Sequence, residues 1–157
     1  MEPLVVNDRI VIPIRPPAEV AASLAARNGF TVGRSLDLWM RHVLDALRMT
    51  RGLPRTVVSY EDLLAQGPAE LERIGVTLGI RWPVAATDRT ARLADFLEPG
   101  LRRQRDASLP EPSPVHELWS LVREGDAAID RPDAADRIDA IEAGFSRTLE
   151  GRAAGDG

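Results

Sequence analysis

Arg9-Ile-Val-Ile-Pro-Ile-Arg15-Pro-Pro-Ala-Glu-Val-Ala-Ala-Ser23 opens as a strand and closes as a helix. The run to Ile14 is apolar and β-branched, the signature of a buried strand. Pro13 argues for an edge position, or for a pairing that does not need its amide. Pro16-Pro17 makes a rigid turn, and proline costs nothing in a first helical turn, where its missing donor has no partner anyway. The helix runs from Pro17 to about Arg27 and stops at Asn28-Gly29, a good C-terminal signal.

Outward from there, a longer helix is expected from Ser35, as cap, to Thr50. Leu36, Trp39, Met40, Val43, Leu44 and Leu47 form its apolar stripe, and Asp37, Arg41, Asp45 and Arg48 line the other side. Gly52 ends it. Arg55 to Tyr60 reads as the second strand, closing on polar residues. A turn over Glu61–Ala65 and helices over Pro68–Leu78 and Thr87–Leu97 follow. Asp106 to Pro114, with its three prolines, is a loop or linker. Ser113-Pro114 starts a helix to about Glu124. A last amphipathic helix covers Pro132 to Leu149, with Ile138, Ile141, Phe145 and Leu149 inward. Strand, two helices, strand predicts a parallel pair joined by a right-handed crossover. Two strands make a poor parallel sheet, which normally has more strands and both faces covered. The chain therefore reads as part of a larger α/β unit, or as one that pairs with something else.

The chain has 157 residues, 44% hydrophobic and 28% charged, which suits a globular domain and excludes a disulfide-stapled mini-protein. All 20 basic residues are Arg. Arg, Ala and Gly codons are GC-rich, which accounts for the bias. The absence of Lys excludes a phosphate-binding loop with its usual lysine, a Schiff-base lysine and any catalytic ammonium group. A net charge of −4 lacks the basic footprint that nucleic acids require. With no Cys there is no thiolate site or disulfide, and two His, His42 and His116, argue against a His-rich metal site. No run approaches the ~20 apolar residues of a membrane span, and no signal peptide is evident, so the expected location is cytoplasmic, away from any membrane.

Ligands of open α/β sheets sit beyond the carboxyl ends of the strands. Both strands deliver polar groups there: Arg15 after the first, Ser59-Tyr60 after the second. An Arg fork beside a helix N-terminus, with amides near Ala18 and Glu19 and the hydroxyl of Ser23, suits a phosphate monoester. A plainer account fits the same residues, with Arg15 as a solvated turn residue and Ser23 as a small helix-face residue.

Arg15-Pro-Pro-Ala-Glu-Val-Ala-Ala-Ser23 resembles the 3′-phosphate-binding motif of sulfotransferases that use 3′-phosphoadenosine 5′-phosphosulfate (PAPS). That motif is Arg-x-Pro, an acidic residue before Val, and a Ser eight positions after the Arg. The similarity continues through Leu38-Trp39, Tyr60-Glu-Asp-Leu-Leu64, Leu78-Gly79-Ile80 with Trp82-Pro83, and Phe96-Leu97-Glu-Pro-Gly-Leu-Arg102, covering roughly residues 9 to 105. The resemblance implies a partial parallel-sheet, P-loop-type (sulfotransferase-like) α/β fold, mostly helical, with two or three strands. Residues 1–105 would be the α/β domain, 106–150 a helical C-terminal extension that matches no part of the family, and 151–157 a disordered tail.

It also implies roles. Arg15 and Ser23 match the pair that binds the cofactor's 3′-phosphate, and Tyr60 matches a strand-end Tyr that contacts the adenine. Tyr60 packed under the next helix is the plainer account. Arg102, with Arg103 and Arg105 near it, is a candidate further charge on the phosphate. The family's late basic motif does not align cleanly here, and a solvated basic turn also fits. The implied reaction transfers a sulfuryl group from PAPS to a hydroxyl acceptor, carbohydrates among the candidates, leaving adenosine 3′,5′-bisphosphate.

The departures weigh as much. The family holds the 5′-phosphosulfate in a loop upstream of the Arg15 motif, and its catalytic base also lies upstream. The chain begins only about a dozen residues before Arg15. The expectation is therefore a carboxyl-terminal portion, inactive alone, with open sheet edges that favour an oligomer or a complementing chain. His42 and His116 read as surface residues, so no catalytic residue and no metal ligand is assigned. A non-catalytic nucleotide-binding module, or a helical interaction module, is the competing reading.

Overall fold

The computed structural model describes residues 9–96 and 113–155. The described chain is mostly helical with one small parallel sheet. It divides into two compact units: Met1–Ile14 with Ala46–Arg103, and Arg15–Asp45 with Gln104–Gly157.

The first unit holds β1 (Ile10–Ile14), β2 (Arg55–Ser59), α3 (Tyr60–Leu78) and α4 (Ala86–Phe96). β1 and β2 pair in parallel, from Ile10 opposite Arg55 to Ile14 opposite Ser59. Ile12 and Ile14 are buried while Val11 and Pro13 are exposed, so one face of β1 is covered and the other open. In β2, Arg55 to Val58 are all buried. Ser59 ends the strand and caps α3, its hydroxyl accepting the Asp62 amide at 3.4 Å. Tyr60 is therefore the first helical residue and not the last of the strand.

The turn over Glu61–Ala65 and the helix from Pro68 merge into α3 across a kink at Gln66, whose φ is −138°. The cause is Pro68, which lacks the donor for an i−4 bond and crowds that carbonyl with its ring. Val58, Ile74 and Leu78 form a buried cluster, with Leu63, Leu71, Ile80 and Trp82 packed against it. Gly75 lies where a side chain would collide with the Trp82 indole: a Cβ there would stand 2.5 Å from Nε1. Arg9 Nε donates to the Leu78 carbonyl at 2.6 Å, joining the start of β1 to the end of α3. Arg55 Nη1 donates to the Leu47 carbonyl at 2.8 Å, fastening β2 to the helix that precedes it.

The second unit holds α1 (Pro17–Asn28), most of α2 (Val32–Met49), α5 (Pro114–Arg123), α6 (Asp126–Ile129) and α7 (Ala134–Gly155). α1 starts at Pro17 and ends at Gly29, whose φ of +66° lets its amide turn back to the Ala25 carbonyl. α2 begins three residues before the expected Ser35. Thr31 is its cap, with Oγ1 accepting the Arg34 amide at 3.3 Å. Ser35 lies inside the first turn, fully buried, donating to the Thr31 carbonyl. The expected apolar stripe of α2 is buried throughout. Ser113 caps α5 through the His116 amide, with Pro114 in the first turn. α5, α6 and α7 pack together, burying Leu118, Leu121, Ile129, Ile138 and Phe145. α6 had no periodic signal, being one turn long. α7 continues past Leu149 to Gly155, so residues 151–155, read as tail, are helical.

Candidate functional site

Arg15 directly follows the last residue of β1, where the sequence puts a ligand-binding group. Its carbonyl accepts Trp39 Nε1 at 3.0 Å, a bond between residues 24 apart that anchors this backbone to α2. Its guanidinium turns to α1: Nη2 lies 3.7 Å from Oε2 of Glu19. The Arg15 side chain is 33% exposed and that of Glu19 only 4%. At 3.7 Å the two are an ion pair, beyond good hydrogen-bond range.

The head of α1 suits this arrangement. Pro16 is the N-cap and makes no side-chain capping bond. Neither Pro16 nor Pro17 has an amide hydrogen, and the first intrahelical bond runs from Val20 N–H to the Pro16 carbonyl at 3.1 Å. The Ala18 amide precedes that bond. The helix dipole favours a negative group here, and Glu19, the first-turn acid, is one. The slot that would take an external anion therefore has a carboxylate beside it already. Ser23 is half-buried one turn beyond Glu19, on the same face, about 6 Å further along the axis.

Tyr60 is half-buried at the first position of α3 and belongs to the other unit. The structure pairs Arg15 with Glu19 of α1 and places Ser23 further along the same helix, while Tyr60 belongs to the other unit. Arg102, Arg103 and Arg105 lie outside the described residues.

His42 is exposed, with Nδ1 2.7 Å from the Leu38 carbonyl. A carbonyl can only accept, so Nδ1 is the donor in this contact. His116 is half-buried on α5 and lines a shallow cleft of about 320 Å³ with Ser120, Arg137 and Ile141. A second cleft, of about 380 Å³, lies between α3 and α4, where Arg89 bridges Glu72 and the Val84 carbonyl. Among the described residues no group of three His, Asp or Glu could hold a metal ion. No helix described is long and apolar enough to cross a membrane.

Sequence reasoning passed over two contributors. Glu19 was only the motif's acidic position; its spacing of four from Arg15 was the available signal. Trp39 was only part of the apolar stripe. That its indole N–H would reach the Arg15 carbonyl had no local signal. No family model matches the chain, and neither a curated protein nor a solved structure is found similar to it.

Proposed function

We propose that this chain binds a 3′-phosphorylated adenine nucleotide, PAPS or adenosine 3′,5′-bisphosphate, through Arg15 and Ser23. The observation that supports it is the Arg15 guanidinium, one-third exposed, beside Glu19 in the first turn of α1, whose head has no side-chain cap. A planar fork with several donors matches the oxygens of a terminal phosphate better than a point charge does. The α1 dipole adds to the attraction. Glu19 offsets part of it, which favours a doubly charged monoester over a singly charged group.

In this reading the wider fold is the P-loop type of the sulfotransferases that the sequence resembles. The wider reaction is transfer of a sulfuryl group to an alcohol or sugar hydroxyl. When bound, PAPS supplies the activated sulfuryl group. The residues assigned here bind and orient; none is assigned to the acceptor's proton or to the leaving group. The chain by itself is expected to bind without turnover, and sulfation of an acceptor by the purified chain would contradict that.

The deciding experiment is calorimetric titration of adenosine 3′,5′-bisphosphate into the wild type and Arg15→Ala. Saturable binding that is lost in the variant is the expected result. Binding unchanged by the variant removes Arg15 from the site. No binding to the wild type favours the second reading, a helical interaction module. The Arg15–Glu19 ion pair supports that alternative too, since it serves a purely structural strand-to-helix link equally well.

A further inference from the structure

The parallel ladder dictates which way each backbone group points. Ile10 N–H donates to the Pro54 carbonyl at 2.9 Å, and Ile10 stands opposite Arg55. In a parallel pair alternate residues turn both N–H and C=O towards the partner. Ile10, Ile12 and Ile14 therefore face β2, and Thr56 and Val58 face β1. Val11 and Pro13 point away on one side; Arg55, Val57 and Ser59 point away on the other. Each outward edge of a two-stranded sheet is a template for a further strand.

The two edges are handled differently. On β1 the outward residue Pro13 has no N–H to offer an incoming strand. On β2 the outward carbonyl of Val57 accepts Nη2 of Arg73 at 2.8 Å. The same guanidinium donates through Nη1 to Thr56 Oγ1 at 2.9 Å. Glu70 holds it from behind, 3.1 Å from Nε and 2.9 Å from Nη2. Arg73 rises from α3, the helix packed against Val58, so its fork reaches round from the covered face to the edge. Thr56 is fully buried, while the Arg73 side chain that reaches it stays 37% exposed, so the fork lies at the rim of the sheet.

We propose that Arg73 is the edge stop of this sheet. Its guanidinium takes the position at the Val57 carbonyl that the N–H of a third strand would take. It thereby keeps a second copy of the chain from adding along β2. A Lys at 73 carries its three donors on one nitrogen and could not hold Thr56, Val57 and Glu70 in one plane. Strand addition is then left to β1, where Val11 is the only outward residue of the strand with an amide hydrogen.

Sedimentation velocity over a concentration series of the whole chain tests this, with wild type beside Arg73→Ala and Arg73→Lys. Arg73→Ala, folded by circular dichroism, should gain a concentration-dependent species of twice the wild-type mass, with slowed hydrogen exchange at the Val57 and Ser59 amides. Arg73→Lys should fall between the two. A folded Arg73→Ala that sediments like the wild type overturns the proposal. Should that variant fail to fold, the wild type decides. Its Arg73 Nη protons should be resolved and slow to exchange in nitrogen-correlated spectra, and a freely rotating, averaged guanidinium overturns the proposal.

Discussion

The carboxylate of Glu19 lies 3.7 Å from the guanidinium of Arg15, and of the two only Arg15 reaches solvent to any extent. An anion arriving at Arg15 meets a buried negative charge already there. Glu19→Gln removes that charge and keeps the shape. It should tighten binding of adenosine 3′,5′-bisphosphate by about 1 kcal/mol, roughly fivefold. Stability should move by no more than about 1 kcal/mol, since Arg15 keeps part of its hydration. Calorimetry and urea denaturation measure the two effects. Weaker binding in the variant would mean that Glu19 serves chiefly to hold Arg15 in place.

The start of α2 separates two hydroxyls. Thr31 caps the helix and Ser35 lies within it. Thr31→Ala should cost about 1 kcal/mol, as the loss of an N-cap does. Ser35→Ala should cost less than about 1 kcal/mol, because alanine's helix propensity offsets one lost bond to a carbonyl that the Ser35 amide also uses. Denaturation midpoints of the two variants would reverse in order if Ser35 were the cap.

Gly75 and Gly144 are both helical, and their replacement by Ala should have opposite signs. A Cβ at 75 meets Trp82 Nε1 at 2.5 Å, and at 144 nothing nearer than 3.8 Å. Gly75→Ala should destabilise by about 1–3 kcal/mol through overpacking. Gly144→Ala should stabilise by roughly 0.5–1 kcal/mol through helix propensity. Trp82 Nε1 has no hydrogen-bond partner among the described residues. Trp82→Phe should therefore recover part of the Gly75→Ala loss, and thermal unfolding of the double variant would reveal the coupling.

Leu47 and Met49 are two residues apart on α2 with opposite surroundings: Leu47 is 1% exposed and Met49 75%. Leu47→Ala should cost about 2–5 kcal/mol by removing buried methyl groups and leaving a cavity. Met49→Ala should stay within about 0.5 kcal/mol. Equal losses in chemical denaturation would show that Met49 is covered in solution.

The absence of Lys limits the available chemistry and has a structural counterpart. Arg9, Arg55, Arg73 and Arg89 each donate to a backbone carbonyl, and Arg55, Arg73 and Arg89 donate to a side chain as well. A planar fork can bind a carbonyl and a carboxylate at once, which an ammonium group does with less geometric control. Of the candidate phosphate ligands, Arg15 follows β1 and Ser23 lies on α1, while Tyr60 is the first residue of α3 and not the last of the strand.

What the sequence determined by itself is what neighbouring residues decide. The β-branched run before Arg15 makes a strand, and the spacing from Leu36 to Leu47 makes a one-sided helix. Pro17, Gly29 and Ser113 mark helix ends. Each signal acts within a turn or two of chain, where steric and hydrogen-bonding preferences are local. Only the tertiary structure decided that the Trp39 indole reaches the Arg15 carbonyl, that Arg9 meets Leu78 69 residues away, and that Arg73 meets the Val57 carbonyl at the edge of β2. Those contacts join residues that sequence periodicity does not link. They follow from the need of buried carbonyls and charges for partners once packing has excluded water.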